Sequence, residues 1–252
     1  MSGFAPAIVV PVYDHEQAVG ATVTALRPWG LPTILVDDGS GPRCAAVLGR
    51  LAADHAGWLQ LLRLPRNGGK GAAVTAGLRA AAERDRSHAL QIDADGQHDA
   101  ADIPRFLAAA ERQPEAVING CPVFDASVPK ARLYGRYATH LWVWINTLSG
   151  SAIGDSLCGF RVYPLRATLA LLDRVAIGQR MDFDIDIIVR LYWSGLTVVN
   201  LPTRVGYACD GVSHFHLWRD NLLISRTHAK LFFGMLVRIP ALWRRRRAEA
   251  AR

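Results

Sequence analysis

Short apolar runs alternate with helix-like segments through the first 120 residues of this 252-residue chain. The apolar runs have the length and boundaries of buried strands, and they cover residues 7–13 (AIVVPVY), 33–38 (TILVDD), 59–64 (LQLLRL), 88–93 (HALQID) and 115–120 (EAVING). Helices are predicted near residues 15–27, 42–55, 70–85 and 102–112. Strands and helices that alternate in this way are joined by right-handed crossovers. The sequence therefore predicts an α/β fold with a mostly parallel sheet and helices on both faces.

The alternation weakens after residue 120. The sequence there predicts an aromatic helix (130–150), a loop followed by a short strand (155–164), a helix (182–195) and two further extended segments (196–207). No linker or repeat interrupts this part of the chain. We therefore predict one domain over residues 1–216 and a C-terminal extension over residues 217–252.

Charge is distributed unevenly along the chain. Residues 217–252 contain nine Lys or Arg and two acidic residues, which equals the net charge of +7 of the whole chain. The first 216 residues are therefore balanced, and no basic surface for nucleic acid is predicted there. The four cysteines are scattered without metal-finger spacing, which favours a reduced cytosol. The N-terminal apolar run lacks a preceding basic region and is interpreted as a first strand, and no apolar stretch is long enough to predict a spanning helix.

Polar loops follow the first four predicted strands. Their sequences are PVYDHE, DDGSG, RNGGKG and DADGQH. The carboxyl ends of parallel strands meet at one edge of a sheet, where such folds bind their ligands. We expect the four loops to form one site.

Asp93 and Asp95 are the strongest candidates for a metal site. Residues at i and i+2 of an extended chain face the same side, so both carboxylates can point at one ligand. Two carboxylates suit Mg²⁺ or Mn²⁺, whose coordination is completed by water and substrate phosphates. A nucleotide diphosphate is the implied partner. The alternative is a polar turn in which Asp and Gly are present for backbone reasons.

Two other loops offer nucleotide contacts. Asp37 and Asp38 at the second strand end could accept hydrogen bonds from a ribose or a base, or could simply belong to a βα turn that Ser40 caps. RNGGKGAA lacks the spacing of the nucleotide-triphosphatase phosphate loop. Lys70 and the start of its helix could still attract phosphate, although helix entry is the simpler role for the glycines.

The ordered motifs VVPVYDHE, VDDGS, RNGGKGAA, DADGQHDAADIP and GDSLCGFRVYP resemble glycosyltransferase family 2. The similarity covers roughly residues 6–215 and is greatest to the dolichyl-phosphate mannosyltransferase and polyprenyl-phosphate glycosyltransferase branch. It implies a Rossmann-like GT-A fold and an inverting, metal-dependent transfer of a hexose from a UDP- or GDP-sugar. The acceptor that it implies is a polyprenyl phosphate.

The resemblance also implies roles for individual residues. The donor would be bound by Pro11, Tyr13, Glu16, Asp37, Asp38, Lys70, Asp93 and Ala94, and the metal by Asp93, Asp95 and Gln97. The lipid phosphate would be met by Lys130, Arg132, Arg136 and Arg161. Asp99 and Asp102 are interpreted as helix-start residues, because acidic groups favour the first turn.

The acceptor decides whether a protein base is needed. A phosphate is already an anionic nucleophile and needs only positioning, whereas a hydroxyl needs a carboxylate within hydrogen-bond reach. Asp184 and Asp186 are the candidate catalytic carboxylates beside Asp95, and the sequence does not choose between them. Asp182 is interpreted as a helix cap. A solvated basic face is the alternative interpretation of Arg132 and Arg136.

The mannosyltransferase pattern Arg-x-x-Gly-x-Ser-Lys is replaced here by ACDGVSHF, with Ala208 and His214 at the two basic positions. His214 therefore becomes the candidate contact to the donor phosphate, and mannose is not implied. A catalytically silent nucleotide-sugar binding protein is the alternative outside the enzyme class, and the retention of Asp93 and Asp95 argues against it.

The C-terminal extension mixes bulky apolar residues with arginines. Its apolar run from Leu231 to Val237 is too short to span a bilayer, but it suits an amphipathic helix lying in the interface. We predict a protein that binds the inner face of the cell membrane peripherally from the cytoplasm. Nucleic-acid binding is disfavoured because aromatic residues are not interleaved with the arginines, and packing on a membrane partner subunit is a third interpretation.

Overall fold

The computed structural model of the chain describes residues 3–124, 130–206 and 217–250. Its strands are β1 Pro6–Val12, β2 Thr33–Asp37, β3 Leu59–Arg63, β4 His88–Gln91, β5 Val117–Phe124, β6 Arg161–Pro164 and β7 Val198–Val205. Its α-helices are α1 Val19–Leu26, α2 Pro42–Asp54, α3 Lys70–Ala82, α4 Ile103–Arg112, α5 Lys130–Thr147, α6 Leu165–Leu172, α7 Phe183–Trp193, α8 Leu217–Leu236 and α9 Ile239–Ala250.

The seven strands of the described residues form one sheet in the order β3-β2-β1-β4-β6-β5-β7. Only β6 runs antiparallel to its neighbours β4 and β5 within that sheet. The prediction of a mostly parallel α/β sheet of the GT-A type is confirmed. The order places β1 and β4 side by side at the centre, where the chain reverses direction across the sheet. The polar loops after β1, β2 and β4 therefore lie next to one another.

Both faces of the sheet are covered, as the apolar strands require. Ile8, Val10 and Val12 face one hydrophobic cluster. Ala7 and Val9 face a second cluster on the opposite side, since side chains alternate along a strand. Residues of α1, α2 and α4 complete the first cluster, and residues of α3, α6 and α7 complete the second.

The main difference from the predicted elements lies in the second half of the sheet. One strand, β7, forms where two extended segments were predicted, and it pairs in parallel with β5 from Val117↔Val198 to Phe124↔Val205. This partner also extends β5 beyond residue 120 to Phe124, past the predicted end of the strand. Strand length here depends on pairing rather than on local apolar pattern.

The helices α8 and α9 pack on α5 and α7. A third cluster of buried residues, which includes Val143, Ile188, Leu231 and Leu242, joins α5, α7, α8 and α9. No helix of the residues that the structure describes is long and apolar enough to cross a membrane.

Polar contacts add to this packing. The Thr227 hydroxyl of α8 donates to Asp182 at 2.9 Å. Arg245 of α9 donates to the carbonyl oxygens of Tyr192 and Leu196 at the end of α7, and its guanidinium lies 3.7 Å from the centre of the Tyr192 ring. The predicted division at residue 216 thus falls between segments that share a core.

Candidate active site

Asp93 lies just beyond the end of β4, against the loop that precedes β6. A Cβ atom on Gly159 of this loop would lie 2.3 Å from Asp93 Oδ2, closer than any two such atoms can approach. Only glycine therefore permits the contact. The two motifs DADGQH and DSLCGF, which are far apart in the sequence, meet at this point.

Lys70, the first residue of α3, bridges two carboxylates. Its Nζ atom lies 2.9 Å from Asp93 Oδ2 and 2.8 Å from Asp184 Oδ2. Burial alone would lower the pKa of Lys70, but Asp184 and Asp93 raise it above its ordinary value. Burial would likewise raise the pKa of Asp93, and the neighbouring Lys70 and His98 hold it well below its usual range. The three groups form a charged cluster of one ammonium and two carboxylates.

Asp184 and Asp186 differ in what they contact. Asp184 meets Lys70, and its Oδ1 atom accepts a hydrogen bond from Gln91 at 3.4 Å. Asp186 accepts from the backbone N–H of Gly178 and from Arg190. The structure therefore brings Asp184 to the Lys70–Asp93 cluster and binds Asp186 to Gly178 and Arg190, and a catalytic role for either carboxylate stays a prediction. Two residues apart on a helix, the side chains point in different directions.

The Asp182 side chain makes no helix-capping hydrogen bond. It accepts instead from the backbone N–H of Arg180 and from Thr227 of α8. Its predicted capping role is therefore replaced by a role in holding α8 against the start of α7.

Arg161 lies beneath the site. It is fully buried, and it donates to Asn119 Oδ1 at 3.0 Å, to the Tyr163 hydroxyl and to the backbone oxygen of Asp184. No surface of the side chain is exposed, and its contact with the acceptor stays a prediction. Arg161 supports the backbone that carries Asp184.

Asp93 and Asp95 fit a divalent cation. Among the described residues, the buried Oδ1 atom of Asp93 has no hydrogen-bond partner, so a ligand-binding position remains on a carboxylate that is otherwise held in place. Burial and the charge of Asp93 raise the pKa of Asp95, which is the expected environment of two carboxylates that share one cation. Gln97 donates its backbone N–H to Asp95 Oδ1 at 3.1 Å.

His98 is a site residue to which the sequence analysis assigned no role. Its Nε2 atom lies 3.8 Å from Asp93 Oδ2, and its ring lies 5.5 Å from Phe160. The available signal was its place in the run DADGQHD, five residues after Asp93. That spacing has no fixed meaning in a loop, which is why the sequence did not indicate the contact.

Asp37 and Asp38 hold loops together. Asp37 is fully buried and accepts from the Ser40 N–H and from Arg63, each at 2.8 Å. The two oxygens of Asp38 accept from the N–H groups of Gly68 and Gly69 at 2.8 Å. Both carboxylates are buried and bound to protein donors, and their nucleotide contacts stay a prediction. Together they fix the second and third loops beside the site.

The first loop places Asp14, Glu16 and Cys44 close together, with ligand atoms within 4.8 Å of one another. Burial raises the pKa of the Cys44 thiol, and a protonated thiol is a poor metal ligand. Asp14 Oδ1 already accepts from the Gly41 N–H at 2.7 Å. Glu16 remains partly exposed at the edge of the sheet.

The remaining predicted donor-binding residues lie at the same edge. Pro11 is buried near the end of β1, and Tyr13 follows that strand in a partly exposed position. Ala94 is buried between Asp93 and Asp95, and its carbonyl oxygen accepts from Thr22 at 3.1 Å.

The first half of α5 contributes a cationic group. Arg136 Nε and His140 Nε2, one helical turn apart, both lie 3.3 Å from Asp155 Oδ2. Burial would raise the pKa of Asp155, but His140 and Arg136 lower it. His140 is a second residue to which the sequence analysis assigned no role, four positions after Arg136 on the same helix. The side chains of Lys130 and Arg132, and all of His214, lie outside the described residues.

The sheet order and the paired carboxylates at its edge indicate a glycosyltransferase of the GT-A class. Residues 7–169 match the family described as glycosyl transferase family 2. The chain belongs to this family, and it is a glycosyltransferase.

Relatives of known sequence agree with the family. An uncharacterised glycosyltransferase of Mycobacterium tuberculosis is 29% identical over 84% of this chain and 90% of its own length. Polyprenol monophosphomannose synthase of Mycolicibacterium smegmatis is 26% identical over 77% and 75%. Undecaprenyl-phosphate 4-deoxy-4-formamido-L-arabinose transferase of Pectobacterium atrosepticum is 33% identical over 66% of this chain and 50% of its own length.

A solved structure shows the same fold. Glucosyl-3-phosphoglycerate synthase from Mycobacterium tuberculosis, in complex with Mn²⁺ and UDP-glucose, has a TM-score of 0.67 with this chain. The two are 13% identical, and the similarity covers 92% of this chain and 79% of that one.

Proposed function

We propose that this glycosyltransferase moves a hexose from a UDP- or GDP-sugar to a polyprenyl phosphate, with inversion at the anomeric carbon. The observation that carries the proposal is the position of Arg136, with His140 one turn further on, on a helix with a broad exposed apolar surface. The exposed residues of that helix include Tyr137, Leu141 and Trp144. A phosphate joined to a long apolar chain matches both features.

The donor would lie over the carboxyl ends of β1, β2 and β4. Asp93 and Asp95 would hold Mg²⁺ or Mn²⁺, supplemented by Gln97, and the ion would neutralise charge on the departing diphosphate. Tyr13 and Glu16 would contact the nucleoside at the first loop. The solved relative that binds Mn²⁺ and UDP-glucose in the same fold supports this assignment.

The acceptor phosphate would be positioned by Arg136 and His140, with Lys130 and Arg132 earlier on the same helix. Asp155 would keep the Arg136 and His140 side chains aligned, because one carboxylate oxygen contacts both. A phosphate acceptor needs no base, so Asp184 would serve to orient Lys70. The named acceptors of two relatives, polyprenol phosphate and undecaprenyl phosphate, are of this chemical class.

The second candidate function is transfer to a hydroxyl group. Asp184 favours it, because this carboxylate lies beside the metal-facing pair and could accept a proton. Against it, Lys70 already neutralises Asp184 at 2.8 Å. A catalytically silent binding protein would not need the charged cluster at all.

The experiment offers a polyprenyl phosphate and the matching polyprenol, which differ only in the phosphate, with radiolabelled UDP- and GDP-hexoses. We expect a labelled lipid from the phosphate alone, and its glycosyl phosphate bond should be cleaved by mild acid. Arg136→Ala should raise the KM for polyprenyl phosphate by roughly tenfold or more while the KM for the donor stays unchanged. Equal labelling of the polyprenol would establish the hydroxyl acceptor instead.

A further inference from the structure

Asp93 presents one oxygen to a protein cation and leaves the other without a partner. Oδ2 contacts the Lys70 ammonium at 2.9 Å. Oδ1 is buried and accepts no hydrogen bond from any described residue. Under the proposed function this is the carboxylate that faces the metal. A positive charge therefore already occupies one side of a cation site.

The position of Lys70 is fixed by close packing and by an ion pair. It lies between Gly69 and Gly71, and a Cβ atom on either glycine would lie 2.6 Å from atoms of the segment 178–180. The start of α3 is thus wedged against that segment. Asp184, which is 4% exposed, holds the ammonium from the other side at 2.8 Å. The ammonium is a fixed feature of the site rather than a mobile surface charge.

The charge balance has a consequence for metal binding. Asp93, Asp95 and Asp184 contribute three negative charges, and Lys70 removes one of them. A divalent ion that arrives alone is repelled by the ammonium across the shared Asp93 carboxylate. An ion that arrives with a diphosphate brings additional negative charge, which the ammonium attracts. Lys70 therefore weakens binding of the free ion and favours binding of the ion that is complexed with a diphosphate.

We propose that Lys70 acts as a resident ammonium that disfavours binding of a free divalent cation and makes metal uptake depend on the nucleotide diphosphate. This inference rests on the proposed function and adds the order in which the site is loaded. Metal and donor enter as one complex, because Lys70 repels the bare ion but attracts the net negative charge of the ion bound to the diphosphate. Lys70 is a positioning residue in this scheme.

The test compares three proteins. Lys70→Met alone leaves two buried carboxylates without their cation, so we combine it with Asp184→Asn. The double variant has the same net charge in the site as the wild type but no ammonium beside Asp93. The single Asp184→Asn variant keeps the ammonium. Binding of Mn²⁺ alone is measured for each by electron paramagnetic resonance, and then repeated with UDP and with GDP.

We expect the double variant to bind free Mn²⁺ on the order of tenfold more tightly than Asp184→Asn, as removal of a neighbouring unit charge implies. The affinity for Mn²⁺ complexed with the nucleotide, relative to the affinity for free Mn²⁺, should fall by a similar factor. Lys70→Arg in the Asp184→Asn background should restore the dependence on nucleotide. Arg79→Met, on the exposed face of the same helix, removes one positive charge away from the site and should change nothing.

The outcomes separate the two proposals. Equal or weaker Mn²⁺ binding by the folded double variant, with an unchanged nucleotide effect, would overturn the role of Lys70. Circular dichroism and thermal unfolding establish that each variant is folded. A wild-type protein that binds no Mn²⁺ even with UDP or GDP would overturn the proposed metal site itself.

Discussion

Individual carboxylates at the sheet edge acquire different roles from the atoms that contact them. Asp37, Asp38 and Asp186 each have both oxygens bound to protein donors. Asp95 accepts from its own loop, and its raised pKa reflects burial and the adjacent Asp93. A carboxylate that is satisfied by protein donors stabilises the fold, whereas one that still has a free oxygen can bind a ligand.

Asp95→Asn tests this distinction. The amide has nearly the same size but no negative charge, so we expect sugar transfer to fall by about two to three orders of magnitude or more with folding intact. Asp99→Asn is the matched control, because Asp99 caps the following turn through Ala101 and an asparagine can do the same. Initial rates with labelled donor measure both. A transfer rate for Asp95→Asn that matches the control would contradict the metal assignment.

Arg161 provides a second test at the scale of one residue. Arg161→Met removes three buried hydrogen bonds and leaves Asn119 and Tyr163 without their partner, so the free energy of unfolding should decrease by about 2–4 kcal/mol. Arg166→Met removes an exposed ion pair with Glu115 and should change the free energy of unfolding by less than about 0.5 kcal/mol. Urea unfolding measures both. Equal effects would show that the buried arginine does not support the fold.

At the scale of elements, α8 is held by packing against α5 and α7. His228 of α8 is 4% exposed, its ring stacks on Trp142 at 6.0 Å, and neither ring nitrogen has a hydrogen-bond partner among the described residues. Burial lowers the pKa of His228 to about 4 from its ordinary 6.5. The folded protein therefore keeps this imidazole neutral where the unfolded chain would protonate it.

This pKa predicts a pH dependence with a definite sign. Between pH 6.5 and about 4 the unfolded chain binds a proton at His228 that the folded protein does not. Stability is therefore lost as the pH falls through this window and is fully present above it. From about pH 7 to about pH 5 the loss should be about 2 kcal/mol. His228→Gln should remove this share of the pH dependence, as urea unfolding at both pH values would show.

The wild type must be compared with His228→Gln because His88 also has a lowered pKa, chiefly through burial. That contribution is the same in the wild type and in His228→Gln, so it cancels in the difference. Identical pH dependence in both proteins would contradict a buried neutral His228.

At the scale of the whole molecule, the C-terminal helices combine a docked face with an apolar outer surface. Leu231, Met235 and Leu242 are buried in the shared cluster. Trp218, Phe233, Val237 and Trp243 are more than half exposed. Truncation at residue 216 would therefore uncover the cluster and confound any test of membrane binding. Substitutions on the outer surface avoid this problem.

Phe233→Ser combined with Val237→Ser should weaken binding to vesicles that contain anionic phospholipid by roughly tenfold or more. Both apolar side chains are exposed to water in the free protein and would be buried on binding to a membrane. The unfolding midpoint should not change, since neither residue is buried. Vesicles of zwitterionic lipid are the control: the wild type should bind them less well, because the arginines contribute about 1 kcal/mol each only at an anionic surface. Sedimentation measures the bound fraction. Unaltered sedimentation of the variant would contradict this membrane-facing surface.

The sequence by itself determined the α/β class, the mostly parallel sheet and the edge at which the polar loops gather. These follow from the alternation of apolar strands and helices and from the fact that parallel strands end on one side. It also indicated Asp93 and Asp95, because residues at i and i+2 of an extended chain face the same side.

Only the tertiary structure gave Asp184 and Asp186 different partners, buried Arg161 in the interior, and brought His98 to Asp93 and His140 to Asp155. Those roles depend on contacts between residues that are distant in the sequence, such as Lys70 with Asp184 or Asp93 with Gly159. Local pattern fixes backbone direction and burial, whereas the partners of a charged group are set by how the elements pack.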